Sequence, residues 1–239
     1  MKLKIIVIIN LFLVCISTIN AQENNTHKGL YTTIGYEFGL TDAVIHKTAM
    51  PFTESTISNN FNNSLSLTAI YKTAFKAQVK LGYMASYAML TINGLNEGKE
   101  FTVDNNYFMH TVSLGAGYNI SLKKDLDITI GLGSSISFVT DTNFEEEKGE
   151  ADDKIIATNN SINPGNVYII PELSFTKYFK NKNMITLGAK YYLSGNDYFL
   201  EGSVQNIKNS VKTNQVNFST QNDQIAVYIS YGFNLKNIF

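Results

Sequence analysis

Apolar and polar residues alternate with a period of two through most of this chain. The last stretch, Asp223 to Phe239, shows the pattern most plainly. Ile225, Val227, Ile229, Tyr231, Phe233 and Leu235 fall on one side, and Gln224, Ala226, Tyr228, Ser230, Gly232 and Asn234 on the other. That period predicts a β-strand with one apolar face and one polar or small face. Seven further strands are predicted on the same evidence: Gly29–Leu40, Ser64–Lys72, Phe75–Tyr87, Tyr107–Ser121, Leu126–Phe138, Asn166–Phe179 and Ile185–Leu193.

The connections alternate in length. Thr41–Asn63, Leu90–Asn106, Thr140–Gly165 and Gly195–Asn222 are long and rich in Asn, Ser and Thr, whereas Thr73–Ala74, Lys123–Asp125 and Lys180–Asn183 are tight turns. Ordinary hairpin loops run to about 2–5 residues. Gathering every long loop at one end, with an even number of strands, is the organisation of a membrane-spanning barrel. The strands are also long enough to cross the hydrocarbon layer at a tilt.

Aromatic residues mark both ends of the apolar face. Tyr71, Phe75, Tyr118, Phe179, Tyr231 and Phe233 lie near the tight turns, and Phe38, Tyr87, Phe108, Phe138 and Tyr191 lie toward the long loops. Between them sit Ile34, Leu67, Val79, Leu114, Ile130, Leu173, Leu187 and Val227. Two aromatic belts around an aliphatic band suit a bilayer. The predicted fold is therefore all-β, an eight-stranded antiparallel up-and-down transmembrane β-barrel over residues 29–239. The competing architecture is a soluble lipocalin-type barrel, which keeps its apolar face inside. It would bring Glu37, Lys76, Lys80, Glu172 and Lys190 to the outside instead of the lumen.

Composition agrees with the membrane reading. Charged residues make up 16% of the chain, below the roughly 25% of soluble domains. Met1–Ala21 reads as a signal peptide: Lys2 and Lys4 precede an apolar run from Ile5 to Ile16, and Ala21 precedes Gln22 at a plausible cleavage point. Its loss takes the net charge from −1 to −3 and removes Cys15, the single cysteine. Disulfides and thiolate chemistry are thereby excluded. Residues 22–28 form a polar N-terminal tail. The chain has no arginine and no basic patch suited to nucleic acid.

An aromatic terminal residue on an amphipathic last strand resembles the assembly signal of bacterial outer-membrane barrels, here Tyr231, Phe233, Leu235 and Phe239. The whole pattern resembles the small eight-stranded outer-membrane barrels of OmpA and OmpX type, without a shared sequence motif. The resemblance implies a bacterial outer-membrane location. Its implied partners are outer-membrane lipid, the barrel-assembly machinery, and surface or envelope proteins at the long loops.

Five inward charges are the candidate functional residues: Glu37, Lys76, Lys80, Glu172 and Lys190. A hairpin centred near Asn181 sets Glu172 opposite Lys190, where opposite charges attract. The expected role is an ion-paired plug, packed with Tyr31, Met84, Tyr168, Tyr178, Tyr192 and Tyr228. The alternative is a proton or ion path through the same groups.

No catalytic, cofactor-binding or metal-binding residue is assigned. His27, His46 and His110 show no nucleophile–base spacing. The acidic run from Glu145 to Asp153 lacks the regular ligand spacing of a calcium loop and reads as a solvated loop. Pro171 lacks a ladder donor, so a bulge or distortion is expected toward the outer end of its strand. The functional expectation is a non-enzymatic barrel acting through its loops. An accessory subunit of a secretion or assembly complex is the alternative, with a narrow solute channel or lipid-modifying enzyme behind it.

Overall fold

Alternation drives each strand to find two neighbours, because an unpaired edge in lipid would strand backbone donors and acceptors. The computed structural model describes residues 27–47, 52–96, 99–140, 145–150, 153–162, 165–195, 200–208 and 211–235. Its strands are β1 (Gly29–Lys47), β2 (Phe52–Lys72), β3 (Ala77–Asn96), β4 (Lys99–Lys123), β5 (Leu126–Val139), β6 (Glu145–Glu150), β7 (Asp153–Ile162), β8 (Gly165–Tyr178), β9 (Met184–Ser194), β10 (Leu200–Lys208) and β11 (Val211–Asn234). Eight of them, in the order β1-β2-β3-β4-β5-β8-β9-β11, form an antiparallel wall that closes where β11 pairs with β1. The closing register runs from Tyr31↔Asn234 to Lys47↔Phe218.

The wall is turned inside out relative to a soluble barrel. Ile34, Leu65, Leu67, Leu114, Leu187, Ile225 and Val227 are all exposed on its outer surface. Thr33, Glu37, Asn119, Asp127, Ser174 and Thr176 are buried on its inner one. Lipid, not water, is the medium that suits such an exterior. Tyr231 and Phe233 lie outward and meet edge to face, with ring centroids 4.9 Å apart. Leu235 follows directly after β11. Phe239, the 1–21 leader and residues 22–26 of the tail lie outside the described residues.

Several strands are longer than their apolar pattern predicts. β2 begins at Phe52 and β3 continues to Asn96, so much of the polar sequence expected as loop is extended backbone. The reason is physical: beyond the hydrocarbon no face need be apolar, so the ladder continues without the signal that reveals it. The acidic run expected as a loop likewise forms β6, paired with β7 from Glu145↔Thr158 to Glu150↔Asp153. β7 pairs in turn with β10, and β10 with β11.

Pro171 distorts the ladder, by interruption and not by a bulge. The β8–β9 pairs run Tyr168↔Ser194 and Ile169↔Leu193, then resume at Glu172↔Lys190 in the same register. Two pairings are lost and no residue is inserted. On its other side Pro171 still opposes Leu132 of β5.

Two tight turns share one construction. In the β2–β3 turn the Thr73 N–H donates to the Ala77 carbonyl, and in the β8–β9 turn the Phe179 N–H donates to the Asn183 carbonyl. The fourth residue of each is a lysine in left-handed backbone, Lys76 and Lys182, both with φ 63°.

Candidate functional site: the braced lumen

Four inward positions on β4 and β5 are glycines, and this shapes the lumen. Gly115 pairs with Gly133 and Gly117 with Gly131, so that stretch of inner wall presents bare backbone. Lys80 of β3 lies beside it, opposite Gly115. With no side chain in the way, Lys80 crosses to β8, three places round the wall. Its Nζ donates to Glu172 Oε1 at 2.5 Å.

A second pair crosses the other half. Lys190 Nζ of β9 lies 2.6 Å from Glu37 Oε2 of β1, two places round the wall. Tyr192 donates its hydroxyl to Glu37 Oε1 at 2.5 Å. Tyr228 joins the two pairs: its hydroxyl donates to Glu172, and its ring centroid lies 4.6 Å from Lys190 Nζ. Gly188 gives that ring its room. A Cβ there would stand 2.5 Å from Tyr228 Cε1 and 2.7 Å from Ser174 Cβ. Two ammonium groups thus face two carboxylates in one hydrogen-bonded layer, and each carboxylate also takes a tyrosine hydroxyl. Buried charges are tolerated when paired and hydrogen-bonded in this way.

Packed clusters lie on either side of this layer. Toward the long loops, Met84, Tyr168, Ile170, Tyr192 and Ala226 form one; toward the tight turns, Tyr31, Ile70, Tyr178 and Met184 form the other. Between them is a cavity of about 80 Å³, lined by Lys80, Glu172, Lys190, Ser174, Gly115 and Gly133 among others. Its lining mixes polar and apolar groups, and it is large enough to hold several waters.

The tight-turn cluster contains a third cation. Lys72 of β2 donates to the Tyr178 hydroxyl of β8, four places round the closed wall and so directly across it. Tyr178 donates in turn to Asp127 Oδ2 at 3.0 Å. His27 stacks flat on the Tyr178 ring at 3.6 Å, and its Nε2 bonds to the Lys124 carbonyl oxygen at 2.8 Å. The residue leading into β1 therefore lies across this end of the lumen.

Of the five predicted lumen charges, Glu37, Lys80, Glu172 and Lys190 come together. The ladder does set Glu172 opposite Lys190, yet the ion pairs run Lys80–Glu172 and Lys190–Glu37. Lys76 does not join them. It occupies the fourth position of the β2–β3 turn, where its carbonyl accepts from the Asn119 N–H and side chain. Parity had pointed it inward, but the left-handed turn breaks parity before β3 begins. The sequence reasoning also passed over Lys72 and Asp127, although both sit at inward parity on their strands.

The catalytic alternatives find no assembly among the described residues. His110 lies on the outer face, its Nδ1 2.6 Å from the Tyr83 hydroxyl oxygen. No cluster of three or more His, Cys, Asp or Glu suited to a metal occurs among the described residues. The His46 side chain lies outside the described residues.

Neither a family model nor a curated protein matches the chain. Solved structures do. The outer membrane protein OprG from Pseudomonas aeruginosa aligns at a TM-score of 0.54 and 12% identity, covering 87% of this chain and 97% of that one. The outer membrane protein AlkL in lipid bilayers aligns at 0.43 and 13%, covering 91% and 96%. The translocator domain of the autotransporter NalP from Neisseria meningitidis aligns at 0.40 and 15%, covering 87% and 89%. At such identities the likeness to OprG is one of fold. With the apolar exterior and charged interior described above, it makes this chain a small β-barrel of the bacterial outer-membrane type.

Proposed function

We propose that this protein is a non-enzymatic outer-membrane barrel of the closed-lumen kind, OmpA- and OmpX-like, that acts through its external hairpins. The observation that carries this reading is the brace. Lys80–Glu172 and Lys190–Glu37 cross the lumen between non-adjacent strands, with packed aromatic and methionine clusters on either side. An eight-stranded wall has just enough interior for side chains to fill. What remains is a small cavity, where Lys80, Glu172 and Lys190 are held in ion pairs. The strands β6, β7 and β10 and the outer halves of β1 to β4 and β11 are then the surface left for contact with surface or envelope proteins. The last strand, with Tyr231, Phe233 and Leu235, is read as the recognition element for the assembly machinery.

Purified protein in planar bilayers tests this. The expected record is a flat baseline, with at most rare brief events. Steady unitary conductance through the unsubstituted protein would sink the closed-lumen reading and favour a solute channel.

A further inference from the structure

The rim formed by the tight turns carries its charge one-sidedly. Each of its three turns sets an exposed apolar side chain immediately before a lysine: Phe75–Lys76, Leu122–Lys123 and Phe179–Lys180. Phe75 is the most exposed of the three, at 78%. Lys124, Lys177 and Lys182 add to the same rim. Among the described residues the one carboxylate at its surface is Asp125, and that is bonded to Lys177. Asp127, two residues on, is buried inside the lumen. Acidic sequence crowds the opposite end, where Glu145–Glu147, Glu150 and Asp153 flank the β6–β7 turn.

The backbone supplies an independent observation. Lys76 and Lys182 both hold a left-handed conformation, φ 63°, at equivalent turn positions. Glycine or asparagine would fit there with less strain. A strained residue type at two matching places points to a use for its side chain.

We propose that this rim binds the headgroups of anionic phospholipids in the leaflet surrounding the turns. The inference rests on the membrane reading above and deepens it. Phe75, Leu122 and Phe179 fix the depth, since an exposed apolar side chain stays in the hydrocarbon. Lys123 and Lys180, each one residue further out along a strand running into its turn, reach the phosphate level, as does Lys76 on the β2–β3 turn, methylene stems in the interface and ammonium groups beyond. Basic clusters held at this depth attract anionic lipid, and the attraction falls off within a Debye length.

The full barrel, reconstituted in phosphatidylcholine vesicles, is tested with spin-labelled phosphatidylglycerol and spin-labelled phosphatidylcholine as probes. The expected result is phosphatidylglycerol association at least about threefold tighter, as a handful of interfacial lysines would give. The preference should disappear near about 1 M salt, where screening reaches about 3 Å. The double variant K76G/K182G suits the left-handed turns and so should insert at least as well, while losing half or more of the preference. K123Q/K180Q should lose a similar share. Equal association of the two lipids by a barrel that has inserted would overturn the proposal and leave an acidic protein as the partner of these lysines. A preference indifferent to both salt and substitution would overturn it too. Failure to insert at all would overturn the membrane reading itself, and this inference with it.

Discussion

Glu172 and Lys190 oppose each other across the β8–β9 ladder, yet Glu172 bonds instead to Lys80, which enters the lumen from β3. Lys190 turns the other way, to Glu37 on β1. The ladder partners are therefore shared out between two bonds that cross the barrel. A brace of this kind ties strands that the hydrogen-bonded wall leaves unconnected, so its removal should weaken the whole barrel.

Replacing Glu172 by Ala strips the acceptor from both Lys80 and Tyr228. Leaving a buried cation unpaired costs about 3–5 kcal/mol in the driest sites. Here the side chains of Lys80 and Glu172 retain 16% and 10% exposure beside a cavity that could admit water, so the expected loss is about 1–3 kcal/mol. Urea unfolding of vesicle-reconstituted protein reads it. In a double-mutant cycle with Lys80→Met the two losses should fall short of additive by about 1 kcal/mol or more. Strict additivity would mean the pair is not coupled.

Tyr178→Phe removes one oxygen and almost no volume, but that oxygen joins Lys72 to Asp127. Both charges then lose a hydrogen bond inside the tight-turn cluster. We expect destabilisation of about 1–3 kcal/mol, measured the same way. Tyr231→Phe, on the lipid-facing wall, is the control and should cost less.

Gly188→Ala tests the space left for Tyr228. The added carbon would lie 2.5 Å from the ring, and the ring cannot yield without giving up Glu172. Overpacking of this sort costs about 1–3 kcal/mol. At Gly165 nothing lies within 4 Å of a new Cβ, so Gly165→Ala should be close to neutral. Equal effects at the two sites would refute this account of the lumen.

Lys182→Gly should raise stability by about 1 kcal/mol, because a left-handed residue with a side chain pays that much locally. The same change at Ala74, outside the left-handed position of its turn, should bring no gain. A stabilisation common to both would point to a general turn effect.

Much of this architecture was legible because a membrane barrel sorts side chains in or out at every step. Ile225, Val227 and Ile229 against Gln224, Ala226 and Tyr228 already separate lipid from lumen. Hairpin counting also placed Glu172 opposite Lys190, since a tight turn fixes register. The Lys80–Glu172 bond was not legible. It depends on closure of the wall and on the bare glycine surface of β4 and β5, neither of which is local. Lys76 was misplaced because alternation fails in a left-handed turn. The outer parts of β2, β3 and β11 were hidden because strands in water on both faces need no alternation. Lys72 and Asp127 could have been found, since parity alone turns both inward.

The inverted distribution of Leu187 and Ile225 against Glu37 and Asp127 has a bearing on when this chain can fold. In water, closing the cylinder would leave its aliphatic band facing solvent, with little oil-like interior gained in exchange. Collapse ahead of arrival is therefore poorly rewarded, and the chain is suited to cross an aqueous compartment unstructured or in the care of an escort. The lipid is then a reactant in folding, and bilayer thickness should set the midpoint of unfolding as directly as any substitution.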